Sequence, residues 1–547
     1  MTHIVLSPGS RNAPLTVSFS RHPKLELITI LDERTAGFIA LGIAQKTKKP
    51  VGICCTSGTA LMNYGPAIAE AYYQQIPLVI FSADRPPEWI DQRDGQTINQ
   101  TNPLSNFVKS FHQLPTSYQH PDEQWEINRK INTSINEALQ KPQGPTHINV
   151  PFREPFYPDK DQKIRFSKEV RIIENTVNIE YNYDSLLDEW NNYEKKLIII
   201  GQNEENEHLK EKLLNLSNQH SIPVITDIIS NQSSDLLIQY HDLFLAIKNK
   251  ELLENFKPDL VISTGKSIIS KNLKSFLRVY KPKDIWHFDS AHVTADTFQS
   301  LTKLIQGHLS DFLQELDSFN PQDDFKKQVQ SNFHQNWTVL NKNTREKLFK
   351  ALDKSPFCEF TAMHQVLSSI PGNTDLHIGN SMPVRYANFI HQLNKNVTVF
   401  ANRGTSGIDG TNATAVGHAL TSKRDVVLIT GDLSFFYDRN AFFHPHDIHN
   451  LKIIVVNNLG GGIFRLINGP SQLAELTTHF ETRHHHSAKF TAAEYGFDYF
   501  AAKDSKGLKK GLHELFKDSK EKKLLEIFTD PKQNQEVYNQ IKNIIHE

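Results

Sequence analysis

The sequence predicts an α/β protein of three domains, each with a parallel sheet flanked by helices. At 547 residues the chain is too long for a single hydrophobic core. Short apolar segments with strand-like composition alternate with longer segments of helical periodicity in three successive blocks of the chain. Such alternation is typical of βαβ units, and therefore of parallel sheets covered by helices.

The first predicted domain covers residues 1–155. A helix predicted at 35–44 is apolar on all sides, so we expect it to be buried, either in this chain or against another subunit. Strands are predicted at 3–6, 27–31, 51–55 and 78–82, and a second helix at 59–73.

Two further domains are predicted at 176–320 and 350–547. A proline-rich connection at 151–175 precedes the second domain, and a polar connection at about 318–350, in which we expect exposed helix, precedes the third. Thr56-Ser57-Gly58 and Thr405-Ser406-Gly407 both follow strands, which fits two similar outer domains around a central one. Strands are predicted at 196–200, 224–226 and 260–263 in the second domain, and at 375–378, 397–401, 426–430 and 452–456 in the third.

Composition excludes several classes of protein. With 60 basic and 61 acidic residues the net charge is −1, without the basic excess of a nucleic-acid binder. The sequence has no signal-peptide pattern and no apolar run long enough to span a bilayer, so we expect a cytoplasmic protein without a membrane partner. Cys54, Cys55 and Cys358 form no disulfide framework and are expected to be small core residues.

Two segments that follow strands of the third domain predict a metal and phosphate site. They are Gly431-Asp432-Leu433-Ser434-Phe435 and Asn457-Asn458-Leu459-Gly460-Gly461-Gly462. Ligands of open parallel sheets bind beyond the carboxyl ends of the strands. A carboxylate, an amide oxygen and a backbone carbonyl are ligands that suit Mg²⁺, and the glycines let the backbone approach a phosphate group.

This arrangement resembles the thiamine diphosphate (ThDP)-dependent enzymes, in which Gly-Asp is followed by Asn-Asn at a spacing like the 26 positions between Asp432 and Asn458. The resemblance implies a pyrimidine-binding first domain and a pyrophosphate-binding third domain around a central one. It implies that Asp432, the Asn458 side chain and the Gly460 carbonyl hold Mg²⁺, with Mn²⁺ as an alternative. Further cofactor contacts are expected from Ser57, Gly431, Leu433, Ser434 and Gly461.

The family also has a glutamate after the second strand of the first domain, and Glu33 stands at that place. A carboxyl group that is hydrogen-bonded to N1′ of the ThDP pyrimidine ring favours the imino tautomer, whose nitrogen accepts the thiazolium C2 proton. The resemblance therefore implies a catalytic role for Glu33. Apolar surroundings would raise the pKa of this carboxyl. In the family the cofactor lies between the Glu33 domain of one subunit and the Asp432 domain of another, which implies a homodimer or homotetramer.

Four segments are similar to one subfamily, which acts in menaquinone biosynthesis: 7–11, 82–87, 96–100 and 402–410. Its members decarboxylate 2-oxoglutarate and add the resulting succinyl carbanion equivalent to isochorismate in a 1,4 sense, giving 2-succinyl-5-enolpyruvyl-6-hydroxy-3-cyclohexene-1-carboxylate and CO₂. Both substrates are dicarboxylates, which the planar guanidinium of arginine matches. The resemblance implies substrate contacts from Ser10, Arg11, Arg85, Gln96, Lys271, Ser381, Arg385 and Arg403. It also implies that Ile408 bends the cofactor, and that Ile463, Phe464 and Ile467 wall the site near the thiazolium ring.

Some features depart from this subfamily or suggest other functions. Asn272 stands where the subfamily often has a basic residue. The sequence given begins at the first strand, before which the subfamily usually has a further helix, so either the start is truncated or this helix is absent. The alternatives are another ThDP-dependent decarboxylase or carboligase, similar to acetolactate synthase, and a catalytically inactive relative. The segment 264–267 resembles the end of a P-loop but lacks its first glycine, and His484-His485-His486 is expected to be a solvated loop.

Overall fold

The structure, a computed structural model, describes all residues except 155–156, 159–162, 165, 167–171, 174–181, 319–323, 468 and 547. The predicted domain boundaries at 155, 176, 320 and 547 therefore lie outside the described residues, as does most of the predicted connection at 151–175.

The first domain is built on a six-stranded parallel sheet. Its strands are β1 (His3–Leu6), β2 (Glu26–Thr29), β3 (Val51–Cys55), β4 (Leu78–Asp84), β5 (Phe111–Gln113) and β6 (Thr146–Pro151). Its helices are α1 (Ala13–Arg21), α2 (Glu33–Thr47), α3 (Thr59–Asn63), α4 (Gly65–Gln74) and α5 (Pro121–Leu139). The strand order is β2-β1-β3-β4-β6-β5, so the parallel connections place helices on both faces of the sheet.

The central domain has a five-stranded parallel sheet of order β11-β10-β9-β7-β8. These strands are β7 (Lys196–Ile200), β8 (Val224–Thr226), β9 (Leu260–Thr264), β10 (Asp284–Phe288) and β11 (Leu301–Ile305). The helices are α6 (Asp184–Trp190), α7 (Glu207–His220), α8 (His241–Phe244), α9 (Lys250–Glu254), α10 (Lys271–Val279), α11 (Leu309–Ser318) and α12 (Asp324–Lys354).

The helix α12 occupies most of the connection that the sequence predicted as polar and exposed. The helix is confirmed, but one of its faces is buried, since Phe333, Trp337 and Leu348 belong to the hydrophobic core. Trp337 packs edge-on against Phe244 and Phe256 of the central domain. A polar helix with a few large apolar residues on one face is therefore part of the core and not only a connection.

The third domain repeats the topology of the first. Its strands are β12 (Asp375–Ile378), β13 (Thr398–Phe400), β14 (Val426–Gly431), β15 (Leu451–Asn457), β16 (Asp498–Ala502) and β17 (Lys523–Phe528). Its helices are α13 (Glu359–Ser369), α14 (Met382–Ile390), α15 (Thr411–Thr421), α16 (Asp432–Tyr437), α17 (Ala488–Tyr495), α18 (Ser505–Phe516) and α19 (Pro531–His546). The order β13-β12-β14-β15-β17-β16 is the order of the first sheet, position for position, as expected for two similar outer domains.

The first and third domains meet where α2 crosses α15. A Cβ on Gly42 would lie 2.1 Å from the carbonyl oxygen of Thr414, and a Cβ on Gly417 would lie 2.0 Å from that of Ile39. Glycine on both helices therefore allows backbone-to-backbone contact. The predicted burial of the apolar helix at 35–44 is confirmed, and the described contact is with the third domain of the same chain.

A buried ion pair joins these two domains at the amino end of β12. Asp375, which is 1% exposed, accepts hydrogen bonds from Lys46 Nζ of α2 at 2.5 Å and from Ser422 Oγ at 2.7 Å. His418 Nε2 of α15 lies 3.6 Å from the same carboxylate. Burial opposes ionisation of Asp375, but the bonds from His418 and Lys46 outweigh it and hold the pKa well below its usual range.

Some predicted elements were wrong in detail. The predicted helix at 59–73 is two helices, because the first ends at Asn63 and Gly65-Pro66 starts the second. Two strands at one side of each sheet were not predicted: the edge strands β5, β11 and β16 and their neighbours β6, β10 and β17. Among the described residues, no helix combines the length and the apolar character that crossing a membrane requires.

Candidate active site

The predicted site residues of the outer domains lie beyond the carboxyl ends of the two outer sheets. Glu33 begins α2 directly after β2, and Asp432 begins α16 directly after β14. Asn458 follows β15, the neighbour of β14 in the sheet. Others follow β1 (Ser10, Arg11), β3 (Ser57), β4 (Arg85), β12 (Ser381) and β13 (Arg403). Because they follow the carboxyl ends of parallel strands, the predicted residues lie at two sheet edges, one in each outer domain.

The structure brings the three predicted metal ligands together. Asp432 is 3% exposed, and its Oδ2 accepts a hydrogen bond from the Gly460 backbone nitrogen at 3.0 Å. Its Oδ1 accepts from the Leu433 nitrogen at 2.7 Å. Asn458 Oδ1 is buried and has no hydrogen-bond partner among the described residues. A buried acceptor without a donor beside a buried carboxylate is what a hard cation such as Mg²⁺ needs, so these residues fit the metal.

Two glycines make the turn after β15 possible. Gly460 has φ +155°, and a Cβ there would lie 2.6 Å from the Glu481 carbonyl oxygen. At Gly462 a Cβ would lie 2.6 Å from Asn458 Nδ2. The turn therefore closes on the Asn458 amide, and a larger side chain at either position would displace it.

Glu359, at the start of α13, fixes the orientation of the Asn458 amide. Glu359 was not among the residues predicted from the sequence. Asn458 Nδ2 donates to Glu359 Oε1 at 2.5 Å, and both residues are buried. Burial raises the pKa of the Glu359 carboxyl to about 7, with the hydrogen bond from Asn458 opposing the rise and the charge of Asp432 adding to it. Because Nδ2 faces Glu359, Oδ1 is the atom left for a cation.

His484 was expected in a solvated loop, and this expectation was wrong. Its side chain is only 10% exposed, and its Nε2 lies 3.2 Å from Asp432 Oδ2. The loop is held over Asp432 because Gly461 N donates to the Glu481 carbonyl oxygen, and because Arg465 and Arg483 pair with the Glu481 carboxylate. The expectation of exposure holds for His485 and His486.

Glu33 lies in surroundings that favour its neutral form. It is the first residue of α2, where the Asp32 side chain accepts a hydrogen bond from the Thr35 nitrogen. Burial raises the pKa of the Glu33 carboxyl, and the neighbouring Asp32 adds to the rise. In the described part of the chain, no hydrogen bond or ion pair joins Glu33 to the metal-ligand set of the third domain.

Two predicted arginines form a basic pair at the edge of the first sheet. Arg85 Nη1 donates to Ser57 Oγ at 3.2 Å and its Nε to Asp94 Oδ2 at 2.8 Å. Arg11 is 6% exposed, and its Nη1 donates to the Phe152 carbonyl oxygen at 3.2 Å. Burial lowers the pKa of Arg11, and the charge of Arg85 lowers it further. Such a pair attracts an anion.

A second basic pair lies at the edge of the third sheet. Arg403 Nη1 donates to Asn380 Oδ1 at 3.0 Å, and Arg385 Nη1 donates to the Ser381 carbonyl oxygen at 2.6 Å. Burial lowers the pKa of both arginines, and the charge of Arg385 lowers that of Arg403 further. Ser381 has φ +72°, so the backbone turns sharply where β12 meets α14.

The predicted apolar contacts line the same edge. Ile408 is 41% exposed, and Ser434 Oγ donates to its carbonyl oxygen at 2.6 Å. An isoleucine this exposed at a site edge is available to an apolar ligand. Ile463 and Phe464 are half-buried and Ile467 is 36% exposed.

The remaining predicted substrate residues are less embedded. Gln96 and Lys271 are exposed, and so is Ser10. Asn272, the departure from the subfamily, is used structurally: its Nδ2 donates to the Asp242 carbonyl oxygen at 2.7 Å. Another cation of the same helix, Lys274, lines a cavity of about 1100 Å³ together with Arg403. The central domain therefore presents a lysine beside Arg403, one helical turn from the predicted Lys271.

Comparison with protein families identifies all three domains. Residues 1–103 match the thiamine pyrophosphate enzyme N-terminal TPP binding domain, thiamine pyrophosphate being another name for ThDP. Residues 169–378 match the middle domain, and residues 379–527 match the C-terminal TPP binding domain. The fold and the site thus define a ThDP-dependent enzyme, as the motifs predicted.

Curated relatives narrow the class. A 2-succinyl-5-enolpyruvyl-6-hydroxy-3-cyclohexene-1-carboxylate synthase of Cytophaga hutchinsonii is 44% identical, covering 100% of this chain and 97% of the relative. The synthases of Flavobacterium psychrophilum (41% identical, 99% and 96% covered) and Porphyromonas gingivalis (36% identical, 96% and 91% covered) carry the same name. The chain belongs to the family of 2-succinyl-5-enolpyruvyl-6-hydroxy-3-cyclohexene-1-carboxylate synthases within the ThDP enzymes.

Proposed function

We propose that this chain decarboxylates 2-oxoglutarate and adds the remaining four-carbon unit to C=C of isochorismate, using ThDP and Mg²⁺. The observation that carries the proposal is the cation site of Asp432 and Asn458 on the same sheet edge as the basic pair of Arg385 and Arg403. A diphosphate-bound metal beside two cations suits a cofactor reaction on anionic substrates.

The third domain would hold the cofactor's diphosphate. Asp432 Oδ atoms, Asn458 Oδ1 and the Gly460 carbonyl would coordinate Mg²⁺, with Mn²⁺ as the alternative. The backbone groups of Gly431, Leu433, Ser434 and Gly461, together with Ser57 of the first domain, would contact the cofactor. When bound, ThDP supplies the carbon nucleophile and the electron sink for decarboxylation.

Glu33 would control the protonation of the cofactor. A carboxyl group with a raised pKa holds its proton more readily than an ordinary carboxylate, which suits a group that shares a proton with a ring nitrogen. The exposed Ile408 would be the apolar contact that bends the cofactor, while Ile463, Phe464 and Ile467 would wall the site near the thiazolium ring and exclude water from it.

The basic residues would bind and orient the substrates. Each substrate carries two carboxylates, and a guanidinium fork binds a carboxylate through two hydrogen bonds. We assign this role to Arg11 and Arg85 in the first domain and to Arg385 and Arg403 in the third, with polar contacts from Ser10, Gln96, Lys271 and Ser381.

The test follows the loss of isochorismate absorbance with 2-oxoglutarate, ThDP and Mg²⁺, each omitted in turn. We expect turnover only with all components, and a loss of 100-fold or more, roughly, in Glu33→Gln. Glu26→Gln, an exposed carboxylate of the same domain, is the matched control and should retain activity. Binding of ThDP without consumption of isochorismate would refute the substrate assignment and favour a different carboligase.

We also propose a cytoplasmic homodimer or homotetramer in which Glu33 of one chain faces Asp432 of another. The three cysteines are free and buried, as suits a reducing compartment. Mixing Glu33→Gln with Asp432→Asn subunits tests the arrangement. If the site is shared, each mixed dimer has one site with both residues intact, so random mixing restores about a quarter of the sites. If each chain forms its own site, mixing restores nothing.

A further inference from the structure

The loop 402–410, which carries Arg403 and Ile408, is pressed against two helices of the first domain. At its end, a Cβ on Gly410 would lie 2.2 Å from the Phe38 ring of α2. Near its start, a Cβ on Gly404 would lie 2.7 Å from the Glu70 carbonyl oxygen of α4. The first domain therefore sets the path of a loop that belongs to the third.

The side chain of Glu70 accepts three hydrogen bonds from this loop. Its Oε1 accepts a hydrogen bond from the Gly404 nitrogen at 2.8 Å, and its Oε2 accepts from the Thr405 nitrogen and from Thr405 Oγ1, both at 2.6 Å. Gln74 Nε2, on the same helix, donates to Oε1 at 2.5 Å. Every partner is a donor, which is the pattern of an ionised carboxylate.

Glu70 is 1% exposed, so its carboxylate depends on these four bonds. A buried carboxylate without donors is strongly unfavourable, whereas hydrogen bonds to a charged acceptor are among the stronger ones in proteins. The bonds therefore fix the backbone of Gly404 and Thr405 relative to α4. Arg403 is the preceding residue, and its guanidinium reaches Asn380 at the edge of the third sheet.

We infer that Glu70 is a positioning residue that holds Arg403 in place for the substrate carboxylate. The inference rests on the proposed function, because it takes Arg403 as a substrate contact. Glu70 acts through the backbone of the loop, since its described hydrogen bonds go to Gln74, Gly404 and Thr405. Placement of a carboxylate-binding guanidinium affects substrate orientation, so the loss should appear in kcat/KM and not only in stability.

The test compares Glu70→Gln with two other variants. Glutamine keeps the volume of the side chain but presents an NH₂ group to one of the loop donors, so at least one bond is replaced by a donor–donor contact. Asp375→Asn is the matched control, since Asp375 is also a buried carboxylate between the first and third domains but lies at the amino end of β12. Glu70→Asp retains the charge, so it should fold and recover part of the loss if Glu70→Gln is too unstable.

Three measurements decide between positioning and general stability. For Glu70→Gln we expect kcat/KM to fall about 10- to 100-fold, hydrogen exchange to rise in peptides covering 402–410, and little further loss when it is combined with Arg403→Ala. Asp375→Asn should lower Tm with kcat/KM and loop exchange retained. The inference would be overturned if hydrogen exchange in 402–410 were equal in Glu70→Gln and wild type. It would also be overturned if the fold-loss of kcat/KM in the double variant equalled the product of the losses in Glu70→Gln and Arg403→Ala. If wild type does not consume the two substrates, the proposed function fails, while loop exchange still reports whether Glu70 holds the loop.

Discussion

Removing the carboxylate of Glu359 should weaken metal binding by releasing the Asn458 amide. The bond from Asn458 Nδ2 to Glu359 Oε1, at 2.5 Å, is the described contact that orients the amide, and it leaves Oδ1 without a partner among the described residues. In Glu359→Ala the amide loses this acceptor and can turn its NH₂ group toward the cation. At roughly pH 8, above the Glu359 pKa of about 7, the carboxyl group is ionised, and a hydrogen bond to a charged group contributes about 1.5–3 kcal/mol.

This free energy corresponds to a rise of about 10- to 100-fold in the dissociation constant of the metal. Substitutions of residues that orient metal ligands have effects of the same size. The assay is a titration with Mn²⁺ in the presence of ThDP, followed by electron paramagnetic resonance, which reports free metal independently of turnover. In Glu359→Ala the metal ligands themselves are still present, so a high concentration of metal should fill the site and restore much of the activity.

The control is Thr361→Val on the same helix. Thr361 Oγ1 accepts a hydrogen bond from the Cys358 nitrogen at 2.9 Å, so this substitution weakens the start of α13 but keeps the Glu359 carboxylate. Both variants should lower Tm, and only Glu359→Ala should change metal affinity. A metal dissociation constant within about twofold of wild type in Glu359→Ala would refute the orienting role.

Three further predictions concern packing, pH and substrate binding. Gly417→Ala should destabilise the protein by about 3 kcal/mol, measured by urea unfolding, because the new methyl group would overlap the Ile39 carbonyl oxygen of α2. The pKa of Asp375 is lowered in the folded state, so ionisation of this carboxyl stabilises the protein above a pH of about 4. The difference in free energy of unfolding between wild type and Asp375→Asn should therefore shrink as the pH falls below that value. Arg385→Lys should raise KM for at least one substrate about tenfold with little change in Tm, since lysine lacks the planar fork; an unchanged KM for both substrates would contradict the assignment.

The order of strands and helices was predictable because buried parallel strands are continuous apolar runs. The strands β3, β7 and β12 begin and end at the predicted residues. The strands that were missed are short or mixed in composition: β5 has three residues, and β16 begins with an exposed aspartate. These strands form through hydrogen bonds with a neighbouring strand, which leaves a weak signal in the local sequence.

The residues that face the ligands were predictable from their places at strand ends and from their resemblance to known motifs. The residues that hold them were not. Glu359 lies 99 positions before Asn458, and Glu70 lies 334 positions before Gly404. Each is an acidic residue of a helix, where a solvated surface position is the ordinary expectation. Only the three-dimensional packing reveals that these carboxylates are buried and surrounded by donors.

The location of these two carboxylates explains why the packing of the outer domains matters for the site. Glu70 fixes a loop of the third domain from a helix of the first, so the position of Arg403 depends on how the two domains meet. That meeting is set by the backbone contact between α2 and α15, in which Gly42 and Gly417 allow the helices to touch. A substitution at the crossing would therefore move the Glu70 carboxylate relative to its loop as well as reduce stability. The position of Arg403 therefore depends on the same domain packing that Gly42 and Gly417 allow.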